Sequence, residues 1–528
     1  MKSNNKTIYK GFRFTNELIC YCPDKNCEFS DKLPIYFVDE QLYKKPPTFL
    51  IGTIDKFVQL TWEPKARSLF GLNNDGERVV SPPNLIIQDE LHLISGPLGS
   101  LTGIYETLID ELTHNQDVDY KPKIIGATAT IKSYQNQIKA LFGREVSRVF
   151  PPPALDMNDN FFSKVMKDSN GKDFPGRKYV GIYTTTQGKL QTQVQTFSNL
   201  LVTVNNFKEE FKDSFWTILS FYNSIKDIGK ANSLVEVDIP YTMKYYFETR
   251  NIDKDKRRYL NTESVKELTS RMENSQISGA LQELKTKYTT VKNKSIDLVL
   301  ASNIIEVGVD IDRLGLMTIV GQPKSTAQYI QVSGRIGRKV TENPGLVVVL
   351  YSQGDSNDKS HYEHFIEYHQ KLYSDVEETS ITPFSSFSIE RGLPAVIIGY
   401  LRQAFSLKEL GEAPNAEVIQ NNKNKILKFI ENKVIKKMKL VDTTEKETLI
   451  KVYKNLIYQL ENLDYEAWVK SVNKNGFMVQ LNAETIVQED EMSIINSMRN
   501  VDSNSQLVVS PPTRKDSISE IENLVRGI

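Results

Sequence analysis

From about residue 49 to residue 150, short apolar runs ending in Gly, Asp, Glu or Thr alternate with longer polar stretches of helical spacing. The runs are residues 48–51, 85–87 and 123–125. Uninterrupted apolar runs of this length, separated by helical segments, predict buried parallel strands in an α/β layer structure. Pro151-Pro152-Pro153 breaks the rhythm, and residues 151–178, rich in Asp, Asn, Lys and Gly, read as a linker or insertion. A second alternating block covers residues 179–355, with strand candidates at 217–221, 297–301, 317–320 and 346–350. Residues 356–528 lack the alternation and read as a separate, mainly helical domain with a short β component near 476–481 and 506–509. Residues 1–48 form an irregular, cysteine-bearing segment ahead of the first lobe, 49–150. The expected fold class is α/β: two lobes and a mixed tail.

Composition narrows the function. Hydrophobic residues at 39% and charged residues at 25% of the 528 exclude a disordered or fibrous class. Lys+Arg and Asp+Glu both number 66, so no global basic field exists, and any contact with nucleic acid must be local. No apolar run approaches the ~18 residues needed to cross a bilayer, and the polar opening residues lead to the expectation of no secretory signal. No membrane partner is expected. Cys20, Cys22 and Cys27 are too few for a disulfide scaffold. The expected compartment is the cytoplasm.

Four segments carry candidate chemistry. Asp89-Glu90 ends an apolar strand, and open α/β sheets bind ligands at the carboxyl ends of their strands. Adjacent acids there suit Mg²⁺ and an attacking water; acids that merely favour a helix start are the plain alternative. Ala127-Thr128-Ala129-Thr130 ends the next run in hydroxyls that can bond those acids or simply cap a helix. In residues 302–311, Gly308 permits close backbone approach and Asp310 can accept a hydrogen bond from a ribose; a loop glycine beside a solvated acid fits equally. In residues 328–339, Arg335 and Arg338 are predicted to share one helical face with glycines beside them, presenting forked donors to phosphate.

In this order and spacing the segments resemble the motifs of superfamily 2 helicases. Asp89-Glu90-Leu91-His92 resembles the D-E-x-H box, and residues 127–130 the S/T-A-T motif. Residues 302–311 resemble A-T-x-x-x-E-x-G-V-D-I with Ser302 where Thr is common, and residues 331–338 match Q-x-x-G-R-x-G-R. Residues 88–100, 52–57, 376–385 around Thr382-Pro383-Phe384-Ser385, and 497–502 further resemble the large helicase of the bacterial DISARM anti-phage system, the DrmA type.

The resemblance implies two RecA-like lobes, the first incomplete, a family-specific C-terminal domain, and ATP-driven translocation on or unwinding of nucleic acid, DNA in phage defence. It implies that Asp89 and Glu90 handle Mg²⁺ and water, and that His92, Gln331, Arg335 and Arg338 serve ATP. Gly308 and Asp310 would line the inter-lobe cleft, and Thr53, Lys56, Asn223 and Ser224 would face the nucleic-acid backbone. The alternative is a non-catalytic subunit that keeps the helicase shape for binding or assembly.

Such a motor needs a phosphate loop, G-x-x-x-x-G-K-[ST], before the acidic box. The sequence has none: its Gly-Lys pairs at 171–172, 188–189 and 229–230 are followed by Asp173, Leu190 and Ala231. Loss of the strand before that loop would leave sheet edges unpaired. The expectation is therefore a truncated first lobe whose phosphate loop lies on an upstream polypeptide or was lost from the reading frame. A partner that completes the lobe and a decayed remnant are the two alternatives. Further defence subunits are expected partners.

Cys22 and Cys27, with Cys20, look like half of a Zn²⁺ site, although a closed site needs four ligands; reduced thiols without metal fit as well. His361, His364 and His369 sit among aromatics at helical spacing, so a packed helix is preferred over a metal site. Lysines in residues 421–455 read as a solvated helical face rather than a phosphate track.

Overall fold

The computed structural model describes residues 2–3, 6–7, 11–15, 17–115, 118–128, 133–152, 154–156, 159–174, 176–289, 294–302, 311–339, 344–374, 376–377, 380–462, 465–470, 474–480 and 491–499. The chain divides into two compact units. The first comprises residues 1–127, 135–147 and 379–528, the second 128–134 and 148–378. Among the described residues, no helix is long and apolar enough to cross a membrane.

In the first unit, β1 (Leu85–Gln88) runs into α1 (Gly96–Thr113), which returns the chain to β2 (Lys123–Gly126). The two strands pair in parallel, Leu85 opposite Lys123, and form a sheet of two strands only among the described residues. Crossover-linked parallel strands are normally covered on both faces and flanked by neighbours. Here Leu85 is 46%, Ile87 57% and Ile125 41% exposed. The expected burial of these runs therefore fails, because no further strand among the described residues pairs with either edge. Residues 48–51, expected as a third strand, are irregular, with Phe49 and Ile51 exposed.

The second unit holds a complete sheet. Strands β3 (Lys178–Tyr183), β4 (Ile218–Tyr222), β5 (Val265–Leu268), β6 (Leu298–Ala301), β7 (Leu316–Val320) and β8 (Leu346–Tyr351) lie in the order β3-β8-β7-β4-β6-β5. All five pairings are parallel. Every residue of β4, β6 and β7 is buried, as strands covered on both faces require. Alternation along them feeds two apolar clusters: Leu219, Phe221, Val299 and Met317 on one face, Ile218, Leu298, Leu300 and Leu316 on the other. Just before β6, buried Asp297 accepts hydrogen bonds from Trp216 Nε1 (2.9 Å), Arg258 Nη2 (2.6 Å) and Ser264 Oγ (2.5 Å). The Arg258 guanidinium also lies 3.8 Å from the Trp216 ring centre. Helix α2 (Thr326–Ser333) follows β7.

Beyond residue 379 the chain rejoins the first unit through α3 (Ser386–Ala404), α4 (Lys446–Asn462) and a parallel sheet of β9 (Ala467–Val469), β10 (Gly476–Gln480) and β11 (Met492–Ile494). The division differs from the one drawn on sequence. Leu101, Ile104 and Leu108 of α1 share one core with Leu393, Val396 and Ile397 of α3, and with Leu449, Trp468 and Phe477. The helices meet at glycines: a Cβ on Gly392 would lie 2.4 Å from Ile104 Cγ2, and one on Gly399 2.7 Å from Leu108 Cδ2. Gly392→Val is expected to destabilise this unit by about 1–3 kcal/mol through overpacking, read as a lower denaturant midpoint at unchanged slope.

The lysine-rich segment is not wholly a solvated face. Lys433 Nζ lies 2.8 Å from Asp110 Oδ2 on α1, and buried Lys437 donates to the carbonyls of Gly103 and Leu141. Two of its cations thus turn inward to satisfy α1 and the residues beside it.

Candidate nucleotide and nucleic-acid site

Strand β1 delivers the acidic box. Asp89 is exposed at its carboxyl end, and Glu90 follows with φ 48° and ψ 48°. For a residue other than glycine, that left-handed turn costs about 1–3 kcal/mol. Glu90 N donates to Asp89 Oδ1 (2.9 Å), which fixes the first carboxylate. Leu91 N then donates to Ala127 O (2.9 Å), and Ala127 N to Gln88 O (2.8 Å), tying the box to the end of β2. Gly126 permits the approach, because a Cβ there would lie 2.8 Å from Leu91 Cδ2. His92 is buried, with Nδ1 3.5 Å from Glu90 Oε2. Gln137 Nε2, which belongs to no motif, donates to Leu91 O (3.1 Å) and Ile94 O (3.2 Å) and holds the turn from behind.

No group of three His, Cys, Asp or Glu side chains able to hold a metal occurs among the described residues. Mg²⁺ does not require one, since it is commonly held by one or two carboxylates with waters and substrate phosphates. The hard oxygens of Asp89 and Glu90 fit that pattern. Cys20, Cys22 and Cys27, read from sequence as a possible half of a Zn²⁺ site or as reduced thiols without metal, form no disulfide. Backbone bonds order them instead, Cys22 N to Phe29 O (2.8 Å) and Cys27 N to Asp24 O (3.1 Å).

The arginines are not on one helical face. Helix α2 stops at Ser333, and Arg335 N closes a turn onto Val332 O (3.1 Å). Gly337 adopts φ 59° and donates to Leu314 O (2.9 Å), so Arg335 and Arg338 flank a glycine-made turn. Gln331 lies in the last turn of α2, half-buried. Arg177 supports this turn: its Nε donates to Ile336 O (2.8 Å) and its Nη2 to Gly334 O (3.3 Å). An arginine in a polar connector gives no sequence signal for that role. At the other end, both oxygens of the Glu377 carboxylate accept from Thr326 N (2.8 and 2.9 Å), capping α2. His369 Nε2 lies 2.9 Å from the Tyr329 hydroxyl, while His361, His364 and His369 each place Nδ1 by the carbonyl four residues earlier. These histidines are structural.

Thr53 and Lys56 occupy one exposed turn around the short helix Ile54–Val58, with Lys56 Nζ 2.8 Å from Asp39 Oδ2. Asp55 between them accepts from Ser497 Oγ (3.0 Å) and Met498 N (3.1 Å), and pairs with Arg499 Nε (2.9 Å). Thr382 N donates to Ser100 Oγ (2.9 Å), and Gly96 N to Ser380 O (2.9 Å). Thr102 Oγ1 donates to Met498 Sδ (3.4 Å). Stretches scattered over the sequence thus gather around α1. In the second unit, Asn223 follows β4 and donates through Nδ2 to Gln322 O (2.9 Å) beyond β7. Ser224 Oγ accepts from Asp227 N (3.1 Å) and caps the helix Ile225–Ser233. Ala129, Thr130, Gly308, Asp310 and residues 500–502 lie outside the described residues.

Comparison with known proteins finds relatives for this chain. Residues 227–340 match the helicase conserved C-terminal domain. The chain is 36% identical over 502 residues to DISARM protein DrmA of Bacillus paralicheniformis, a match covering 88% of this chain and 42% of that protein. Among solved structures, it is similar to the DUF1998 helicase MrfA bound to DNA at 16% identity and TM-score 0.47, covering 73% of this chain and 43% of that one. The Mycobacterium smegmatis helicase Lhr bound to ssDNA and AMP-PNP gives 17% identity and TM-score 0.44, covering 68% and 38%. The chain therefore spans less than half the length of these relatives.

Proposed function

We propose that this helicase-family chain, a relative of the DrmA type along most of its length, works in the cytoplasm within an ATP-driven motor that moves on or unwinds DNA in phage defence. The observation that carries the reading is the acidic box at the carboxyl end of β1, tied by backbone bonds to the end of β2. In this reading Asp89 holds Mg²⁺, which when bound neutralises triphosphate charge, and Glu90 orients and polarises the attacking water. Buried His92 lies beside the Glu90 carboxylate, with Nδ1 3.5 Å from Oε2. Gln331, Arg335 and Arg338 meet the phosphates, Gly308 and Asp310 the ribose, and Thr53, Lys56, Asn223 and Ser224 the nucleic-acid backbone.

The phosphate loop comes from polypeptide outside the 528 residues. Two features support this: the sequence holds no G-x-x-x-x-G-K-[ST], and among the described residues the β1–β2 pair has no further strand at either edge and leaves apolar side chains on its faces exposed. The missing loop equally favours a second reading, a non-catalytic binding or assembly subunit. To separate them, the chain is mixed with the part of the B. paralicheniformis protein that it does not match, and phosphate release is followed with and without single-stranded DNA. The motor reading expects DNA-stimulated hydrolysis that Glu90→Gln abolishes while nucleotide binding survives. No hydrolysis, with DNA binding intact, supports the second reading.

A further inference from the structure

We infer that Arg499, delivered from the far end of the chain, is a third phosphate contact in the nucleic-acid site that begins at Thr53 and Lys56. The inference rests on the nucleic-acid reading above and extends it to a residue in none of the helicase motifs.

Asp55 supplies the geometry. Its Oδ1 accepts from Ser497 Oγ (3.0 Å) and Met498 N (3.1 Å), and its Oδ2 pairs with Arg499 Nε (2.9 Å). Arg499 N also donates to Ser497 Oγ (3.1 Å), so the segment folds as a tight turn over the carboxylate. The hydroxyl and the amide already fasten that turn. An exposed ion pair adds only about 0–1 kcal/mol, and Arg499 keeps 71% of its side chain in solvent. As a clasp, the arginine is therefore nearly redundant.

As a phosphate ligand it is well made. A guanidinium offers five donors in a planar fork, and holding it at Nε directs its freedom toward recognition of a second oxyanion group. Thr53 and Lys56 border the same Asp55, and both are exposed. Lys56 is held likewise by a carboxylate, that of Asp39. Two turns joined through Asp55 thus carry a hydroxyl and two oriented cations, the groups that grip a sugar-phosphate backbone without reading bases.

The test uses the whole chain and a fluorescein-labelled oligo-deoxythymidine, with affinity measured by anisotropy from about 50 to 200 mM salt. Each phosphate neutralised adds about 0.7 to the slope of log affinity against log salt on a single strand. Arg499→Gln is expected to lower the slope by about that amount and weaken binding severalfold at low salt, with an unchanged melting temperature. Arg499→Lys should restore the slope. Asp55→Ala, which releases the clasp but keeps the cation, should weaken binding with little change in slope. If Arg499→Gln leaves the slope unaltered, or merely copies Asp55→Ala, the inference is overturned. If the unmodified chain fails to bind the oligonucleotide at all, the nucleic-acid reading beneath it fails instead.

Discussion

Arg335→Ala should lower DNA-stimulated ATP turnover of the complemented chain by about 10³-fold or more, the range seen when an arginine that neutralises transferring phosphate is lost. That corresponds to about 4 kcal/mol of activation free energy. The side chain leaves a turn built by Gly334 and Gly337 and braced by Arg177 on the carbonyls of Gly334 and Ile336. The turn's backbone bonds, Arg335 N to Val332 O and Gly337 N to Leu314 O, do not need the guanidinium. The loss should therefore appear in single-turnover phosphate release and not in the circular dichroism spectrum. Retained turnover in a folded variant would remove Arg335 from the proposed machinery.

Asp297→Ala is expected to destabilise the second unit by about 3–5 kcal/mol, the usual effect of leaving a buried charge without its partner. Three donors converge on this carboxylate, from Trp216, Arg258 and Ser264. Burial works against the Arg258 cation and lowers its pKa, while Asp297 acts in the opposite direction. With the carboxylate gone, that guanidinium keeps its bond to Trp216 O (2.9 Å) but no anion. Asp297→Asn would keep one acceptor oxygen and lose less. Chemical denaturation followed by tryptophan fluorescence reads the difference, because Trp216 lies inside the network. A loss below about 1 kcal/mol would mean that water reaches Arg258 and replaces the carboxylate.

The four inner strands of the complete sheet are the most legible part of the chain, whereas its edge strands β3 and β5 are not among the runs the pattern predicts. Runs such as Leu-Val-Leu-Ala at Leu298–Ala301 are apolar on both strand faces, and only a strand covered on both sides requires that. The same rule misleads at residues 48–51 and over-buries β1 and β2, because it reads what a residue needs and not whether a neighbour supplies it. The arginine pair is legible as chemistry and misplaced in conformation: periodicity continues a helix that Gly334 and Gly337 end. Least legible is the joining of α1 to α3. An apolar helical stripe announces that it will be covered, yet nothing in it names the partner, and only the glycines at 392 and 399 mark a close approach. Arg177 and Gln137 are invisible for a related reason: each serves backbone carbonyls, which have no sequence identity.

The first unit is discontinuous, since residues 148–378 of the second fall between its two halves in chain order. During synthesis the ribosome releases α1 long before α3, so the apolar stripe of Leu101, Ile104 and Leu108 must wait for more than half the chain to emerge. The inserted unit has all six strands of its sheet in hand before α3 begins at Ser386 and can fold ahead of its host. Folding can therefore proceed from the inserted unit to its host, although translation begins with the host.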